Sequence, residues 1–572
     1  MIAKLRSHAI VVLGIWALIS SLLAGYLSVS LEKRYLDNHP YFFDAVSYSL
    51  YNAKLYQRIQ EVGQGTVLHE ELSNNNRHPL RTLPLVMFAS LLLAHPFGHM
   101  ATALPALFVF IFLLAYTIYR ETRQFLPAIA GSFTAILLPG LYDPVSGIAA
   151  YWLDLTAAFL IGAAALALLN SNCARDLRWL VLYAVLGSLA VLARYVSIAY
   201  LLFATMPVLL WFLFNEVRVK HNWLRSVILP VIVVAGVSLI LAGPFLLAHL
   251  RSVIEFYSVY GYAVGVPLKI SSVAALVSLK DFIGPAGFLA IMIASCTWLY
   301  IAKSNARIID ASALLVRVWL FFSIPIFLII IIKTSAIHTI SYAAILMLVA
   351  LVIPRFSSVS GNGGGGIPSW ANLIVLLVMA AGWVGYYTSA WKQSANPSSD
   401  AAETKALQTK IADLVAGYGK KVVWNAYFDE WSWIPSLDAF YRHKVLPLPL
   451  GQDYVFSIHE SVYRGNFPGW SEQKIYAALE KNANEWVNIA VVFENPDASK
   501  LVLPNSISRG AAHHISELVK NSPNWNKVFE IQTAKYGLLA GYFNSNARLD
   551  NYDLVCLLPP TEMKVMLGAF PK

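Results

Sequence analysis

Charge is scarce in this chain. Of its 572 residues only 13% are Asp, Glu, Lys or Arg, while 58% are hydrophobic. A soluble domain carries roughly twice that charged fraction, so a water-soluble globule of this length is excluded. Cysteine is scarce too: Cys173, Cys296 and Cys556 are the whole supply. One lies beside a basic loop and one inside an apolar run, which makes neither a disulfide framework nor a zinc spacing. No Asn-x-Ser/Thr acceptor occurs, because Asn396-Pro397-Ser398 is disqualified by its proline. That favours a bacterial envelope over the endoplasmic reticulum. A continuous basic stripe is also missing. The net charge is +10, but the cations are scattered between apolar runs, which speaks against nucleic acid and fits cytoplasmic loops retained by Lys and Arg.

What the chain has instead is apolar runs long enough to cross a hydrocarbon core of about 30 Å. The first follows Lys4 and Arg6 and is longer than a cleavable signal, so it reads as a retained helix with its N-terminus in the cytoplasm. Spans are expected at 9–29, 100–119, 125–142, 151–170, 179–193, 196–214, 226–248, 283–302, 313–332, 337–354 and 370–390. Leu80 to His95 is apolar but short and begins between Pro79 and Pro84. Laying it on the outer surface puts Arg120, Arg123, Arg175, Arg178, Arg218, Lys220, Arg225, Lys303, Arg307 and Arg355 all inside, as the positive-inside rule asks. The run 179–214 is too long for one helix and should break at Arg194. The fold expected is an α-helical polytopic membrane protein of about eleven transmembrane helices, followed by a soluble α/β domain. The transmembrane domain takes residues 1–391, with an outer loop at 30–99, and the outer α/β domain takes 392–572. Lys421 to Trp424 and Asn488 to Phe493 read as buried strands, and Ala401 to Tyr418, Ser471 to Leu479 and Ser508 to Val519 as helices.

An ionisable side chain at membrane depth costs about 2.5–3.5 kcal/mol on insertion scales, so those that persist are informative. On this topology they gather at the outer face: Asp44, Asp143 and Asp154 are acidic, and Arg77, His78, Arg194, Lys333 and His338 are basic or titratable. A carboxylate on an outer loop can take a proton from an acceptor hydroxyl. A second can orient the acceptor or help hold a cation. Cationic groups at outer helix ends can bind a departing lipid phosphate. His338 and Tyr342 stand one helical turn apart and share a face.

In their order and spacing these residues resemble the GT-C glycosyltransferases. Within that class they resemble the dolichyl-phosphate-mannose-protein mannosyltransferase-like group, which includes the aminoarabinose transferases of lipid A. The matching positions are Asp44 and Tyr48, then His78-Pro79-Leu80, Gly98 and Ala101 to Pro105. Further on come Pro139, the run Asp154 to Phe159, Leu192-Ala193-Arg194-Tyr195, and finally Lys333, His338 and Tyr342. Ala45 stands where the family has a second acid, one of the two prolines after His78 is missing, and the Leu-Pro after the late Tyr is absent.

The resemblance implies an inverting transfer of a sugar from a polyprenyl-phosphate donor to an extracytoplasmic acceptor, which is a lipid, a glycan or a protein. Asp44 would be the general base, with Asp143 and Asp154 as further catalytic carboxylates. Arg194 and Lys333 would hold the phosphate, and Tyr48, Arg77, His78, His338 and Tyr342 would contact substrate. Asp44 and Asp154 are the candidate ligands for a divalent cation, Mg or Mn. The setting would be a bacterial inner membrane, with the active site and the C-terminal domain facing the periplasm. Two rival readings are a transporter or flippase of lipid-linked sugars and a non-catalytic anchor that displays the C-terminal domain. The first needs polar groups along a path at the midplane, whereas the central spans here lack charge. The second leaves so many spans unexplained.

Overall fold

The computed structural model describes residues 2–39, 43–74, 79–144, 147–150, 153–220, 227–248, 250, 279–285, 287, 319–320, 341–342, 344–349, 369–419, 422–427, 433–449, 472–499 and 506–547. The chain divides into two compact units. One comprises Met1–Tyr35, Leu68–Phe88 and Phe97–Ser394, and the other Leu36–Val67, Ala89–Pro96 and Ala395–Lys572.

The first unit is helical. It holds most of α1 (Ile2–Asn38), the end of α3 (Gln64–Asn74), α4 (Pro79–Met87), α6 (Met100–Thr122), α7 (Phe125–Phe133), α8 (Leu153–Asn170), α9 (Leu177–Ala193), α10 (Ser197–Tyr200), α11 (Met206–Lys220), α12 (Leu229–Leu241) and α13 (Ser369–Ala395). Among the described residues four helices are long and apolar enough to cross a membrane: His8–Asn38, Met100–Arg120, Leu153–Asn170 and Ser197–Asn215. Three more apolar helices are shorter: Phe125–Leu137, Leu177–Ala193 and Leu229–Leu241. The expected spans 313–332 and 283–302, and part of 337–354, fall largely outside the described residues.

α8 is the buried centre of this unit. Of its side chains only Leu169 is not fully buried. Lipid gives no hydrophobic drive for helices to associate, so close packing must supply the attraction, and small residues permit it. α8 accordingly runs through Ala157, Ala158, Gly162, Ala163, Ala164, Ala165 and Ala167. At Gly162 a methyl group would come within 2.5 Å of Ile345 Cγ2 and 2.8 Å of Phe110 Cε2. Polar ties close the lower end: Asn170 Nδ2 donates to Thr117 Oγ1 at 2.6 Å, and Arg120 Nη1 donates to Asn170 Oδ1 at 3.0 Å. α13 lies along α1, where Tyr387 donates to the Leu27 carbonyl at 3.1 Å and Arg34 Nε to the Trp391 carbonyl at 3.2 Å.

The expected helix over 125–142 does not run through. α7 stops at Phe133, and two 3-10 turns follow over Thr134–Leu137 and Pro139–Leu141. Pro139 supplies no N–H and forces Leu138 out of helical geometry, to φ −74° and ψ 117°. The expected break at Arg194 is present: α9 ends at Ala193, Arg194 is extended at φ −155° and ψ 114°, and α10 restarts at Ser197. The apolar stretch after Pro79 forms two short helices, α4 and α5 (Ala89–Leu92).

The second unit is α/β. Its sheet has the order β2 (Leu448–Pro449), β1 (Val423–Ala426), β3 (Ile489–Phe493), β5 (Gly537–Asn544), β4 (Trp525–Thr533). β2, β1 and β3 run parallel, and β5 and β4 close the sheet as an antiparallel hairpin. β3 is buried at every position, as a strand covered on both faces must be. Ile489, Val491 and Phe493 pack on α14 (Ser399–Ala416) through Leu407, Ile411 and Val415. Ala490 and Val492 pack on α16 (Glu472–Trp486) and α17 (Ser506–Asn521) through Ala483, Ile515 and Val519.

One helix from far earlier in the sequence packs with this sheet domain. α2 (Phe43–Val62) presents Leu50 and Ala53 to a cluster of Val423, Ile434, Leu437, Phe440 and Leu446, most of them on α15 (Trp433–His443). Those two positions are three apart, one face of a helix.

Candidate functional site

Three side chains from distant stretches of the first unit meet around one carboxylate. Asp154 enters from the first turn of α8 and is 3% exposed. Arg194 arrives from the break after α9, with Nε 3.2 Å from Asp154 Oδ1. Tyr342, fully buried, donates its hydroxyl to the same oxygen at 3.3 Å. The Tyr342 ring stacks on Tyr200 of α10, with centroids 4.3 Å apart and planes 9° apart. Ser197, also buried, faces the Tyr342 hydroxyl.

Local structure explains the convergence. A helix end leaves backbone groups unsatisfied and the chain free to turn. The break at Arg194 points its side chain inward, and the restart at Ser197 brings Tyr200 beneath Tyr342. An isolated buried charge is costly, and a buried pair persists only with good geometry and further hydrogen bonds. Asp154 faces a guanidinium and accepts a hydrogen bond from a phenol. The arrangement is a buried carboxylate set between a guanidinium and a phenol.

A second carboxylate group lies elsewhere in the same unit. Asp143 follows the Pro139–Leu141 turn and acts electrostatically on Glu32, Tyr35 and Tyr386. Glu32 is 5% exposed, and its Oε2 finds no hydrogen-bond partner among the described residues. Sequence reasoning missed Glu32. The available signal was an acid placed directly after the apolar run that ends at Leu31.

The remaining candidates distribute as follows. Asp44 is in the first turn of α2, and so belongs to the unit that contains the sheet. The side chains of Asp44 and Tyr48 lie outside what the structure describes, as do Arg77, His78, Lys333 and His338 entirely. Of the ten residues singled out in the sequence, Asp154, Arg194 and Tyr342 are brought together, and Asp143 stands in the other group. Of the two candidate ligands for Mg or Mn, Asp154 faces Arg194, and the side chain of Asp44 lies outside the described residues. Among the described residues no group of three or more His, Cys, Asp or Glu could hold a metal ion.

No protein-family model matches the sequence, and no curated protein matches it either. Solved structures do match its fold. ArnT from Cupriavidus metallidurans bound to undecaprenyl phosphate superposes with a TM-score of 0.55 at 13% identity, covering 92% of this chain and 98% of that one. ArnT in the apo state gives the same TM-score at 14% identity and the same coverage. The arabinofuranosyltransferase AftD from mycobacteria gives 0.50 at 12% identity, over 92% of this chain and 40% of that one. A membrane helical unit built around α8, joined to a small α/β unit, is thus the GT-C type of fold that these glycosyltransferases have.

Proposed function

We propose that this protein moves a sugar from a polyprenyl-phosphate donor to an extracytoplasmic acceptor, with inversion at the anomeric carbon. The buried Asp154–Arg194 pair carries the reading. As the lipid phosphate leaves, negative charge builds on its oxygens, and a guanidinium held ready stabilises that charge. Asp154 fixes the guanidinium, and Tyr342 fixes Asp154. The undecaprenyl phosphate bound to ArnT, in a fold shared over 92% of this chain, supports a polyprenyl phosphate as the leaving group.

In the proposed step Asp44 takes the proton of the acceptor hydroxyl. The acceptor oxygen bonds to the anomeric carbon as the bond from that carbon to the phosphate oxygen breaks, and the electron pair departs with the lipid phosphate. Lys333 shares the phosphate with Arg194. Tyr48, Arg77, His78 and His338 contact the substrates, and Asp143 orients the acceptor. The reaction's place is a bacterial inner membrane, with the chemistry on the periplasmic face.

The test is a mass-spectrometric comparison of envelope lipids and glycans from cells with and without the gene. One glycosylated species should disappear, return with the wild-type gene, and stay absent with Arg194→Ala. An unchanged inventory overturns the proposal.

A further inference from the structure

The helix that carries Asp44 is packed by the C-terminal domain. On α2, Leu50 is 6% exposed and Ala53 is fully buried, and both enter the cluster of Val423, Ile434, Leu437, Phe440 and Leu446. Tyr56, one turn further along α2, meets the Phe440 ring edge-on, with centroids 5.9 Å apart and planes at 70°. Phe440 is itself 2% exposed. α15 is fixed to the sheet in turn, where Trp424 Nε1 donates to Ser436 Oγ at 2.7 Å. Its C-terminal end reaches a second piece of the same outer loop. Lys444 adopts φ 57°, closes α15 by donating its N–H to the Phe440 carbonyl at 2.9 Å, and sends Nζ to the Ala94 carbonyl at 3.4 Å.

We propose that the C-terminal domain is a positioning element for the reaction: through Phe440 and its neighbours, α15 holds the helix whose first turn bears Asp44. This rests on Asp44 being the base. A helix in a protein takes most of its stability from a packed face rather than from its own propensity. Here that face is supplied by α15. A general base must be held close to its target, so loosening α2 costs turnover without touching the phosphate receptor. Phe440 is a positioning residue and acts through α2.

The test uses the full-length protein in nanodiscs, with undecaprenyl phosphate as the binding probe and complementation of the envelope product as the activity readout. Phe440→Ala should lower the product about tenfold or more while undecaprenyl phosphate affinity stays within about twofold. Phe440→Leu should recover most of the loss. Lys527→Ala, on the far hairpin, should leave the product unchanged. Wild-type product in Phe440→Ala overturns the proposal, and so does an equal loss in Lys527→Ala. Hydrogen exchange of the wild-type protein decides the matter even if Phe440→Ala does not fold: amides of α2 should be protected together with those of α15, and unprotected α2 beside protected α15 overturns the docking. Full product in Asp44→Asn refutes the base assignment instead and leaves the exchange result standing.

Discussion

Arg194 Nε stands 3.2 Å from Asp154 Oδ1, with the two side chains 19% and 4% exposed. The pair gives the two substitutions different signs. Arg194→Ala strands Asp154 and removes the phosphate donor, so undecaprenyl phosphate affinity should fall at least about tenfold, or about 1.4 kcal/mol. Asp154→Asn removes the anion that competes for the guanidinium, so affinity should hold or rise while the envelope product is lost. Titrations in nanodiscs measure both. Equal loss of affinity in the two variants would show that the phosphate site depends on Asp154 holding Arg194 in place, and would refute the idea that Asp154 competes with phosphate for the guanidinium.

Tyr342 contributes by two routes that can be separated. Its hydroxyl donates to Asp154 at 3.3 Å, and its ring stacks on Tyr200 at 4.3 Å. Tyr342→Phe keeps the stack and loses one neutral-to-charged hydrogen bond, worth about 1.5–3 kcal/mol. Product formation should drop by about one to two orders of magnitude with the fold intact. Tyr342→Ala should also lower the thermal midpoint, since it empties a fully buried ring site. A Phe variant that unfolds as readily as Ala would show that the hydroxyl is structural.

These contacts differ in how far they can be read from the chain alone. Asp154, Arg194 and Tyr342 stood out because polar groups at the ends of apolar runs are costly and few. Their convergence is tertiary, and only the implied break at Arg194 hinted at it. Glu32 passed unnoticed because Leu31-Glu32-Lys33-Arg34 looks like an ordinary charged helix flank, whereas the carboxyl of Glu32 is buried beside Asp143. The hairpin was hidden for a similar reason. β4 mixes buried and exposed positions, and its charged residues Lys527 and Glu530 disguise a strand that pairs with β5 on both sides of an irregularity between Lys527 and Phe529. The packing of α2 on α15 joins residues almost four hundred positions apart, and no local pattern encodes it.

Gly162 tests the packing of the membrane unit. A Cβ there would meet Ile345 Cγ2 at 2.5 Å and Phe110 Cε2 at 2.8 Å, and Phe110 is itself stacked on Phe159 at 6.1 Å. The neighbours are fully buried and have little room to yield. Gly162→Ala should destabilise by about 1–3 kcal/mol through overpacking, although alanine is the better helix former. Gly236, where a Cβ meets nothing within 4 Å, is the matched control, and Gly236→Ala should be neutral or stabilising. Thermal midpoints in detergent compare them, and equal midpoints would mean that α8 can shift to accommodate a methyl.

Tyr542 sets an alkaline limit on the sheet domain. Burial, and then the hydrogen bond of its hydroxyl to Glu494 Oε2 at 3.1 Å, push its phenol up to about 12 from the ordinary value of 10. Lys527, hydrogen-bonded to Glu530 and Glu494, is raised in the same sense. Above pH 10 the unfolded chain gives up the Tyr542 proton while the folded one keeps it. Fewer protons are then bound in the unfolded state, and stability falls as pH rises. The contribution is full below pH 10 and is lost on the way to about 12. Thermal midpoints should therefore decline across that window, and Tyr542→Phe, which cannot ionise, should flatten the decline. The same variant should remove one late-titrating phenol from the tyrosinate absorbance curve. An unaltered slope in Tyr542→Phe would show that another group governs the alkaline limb.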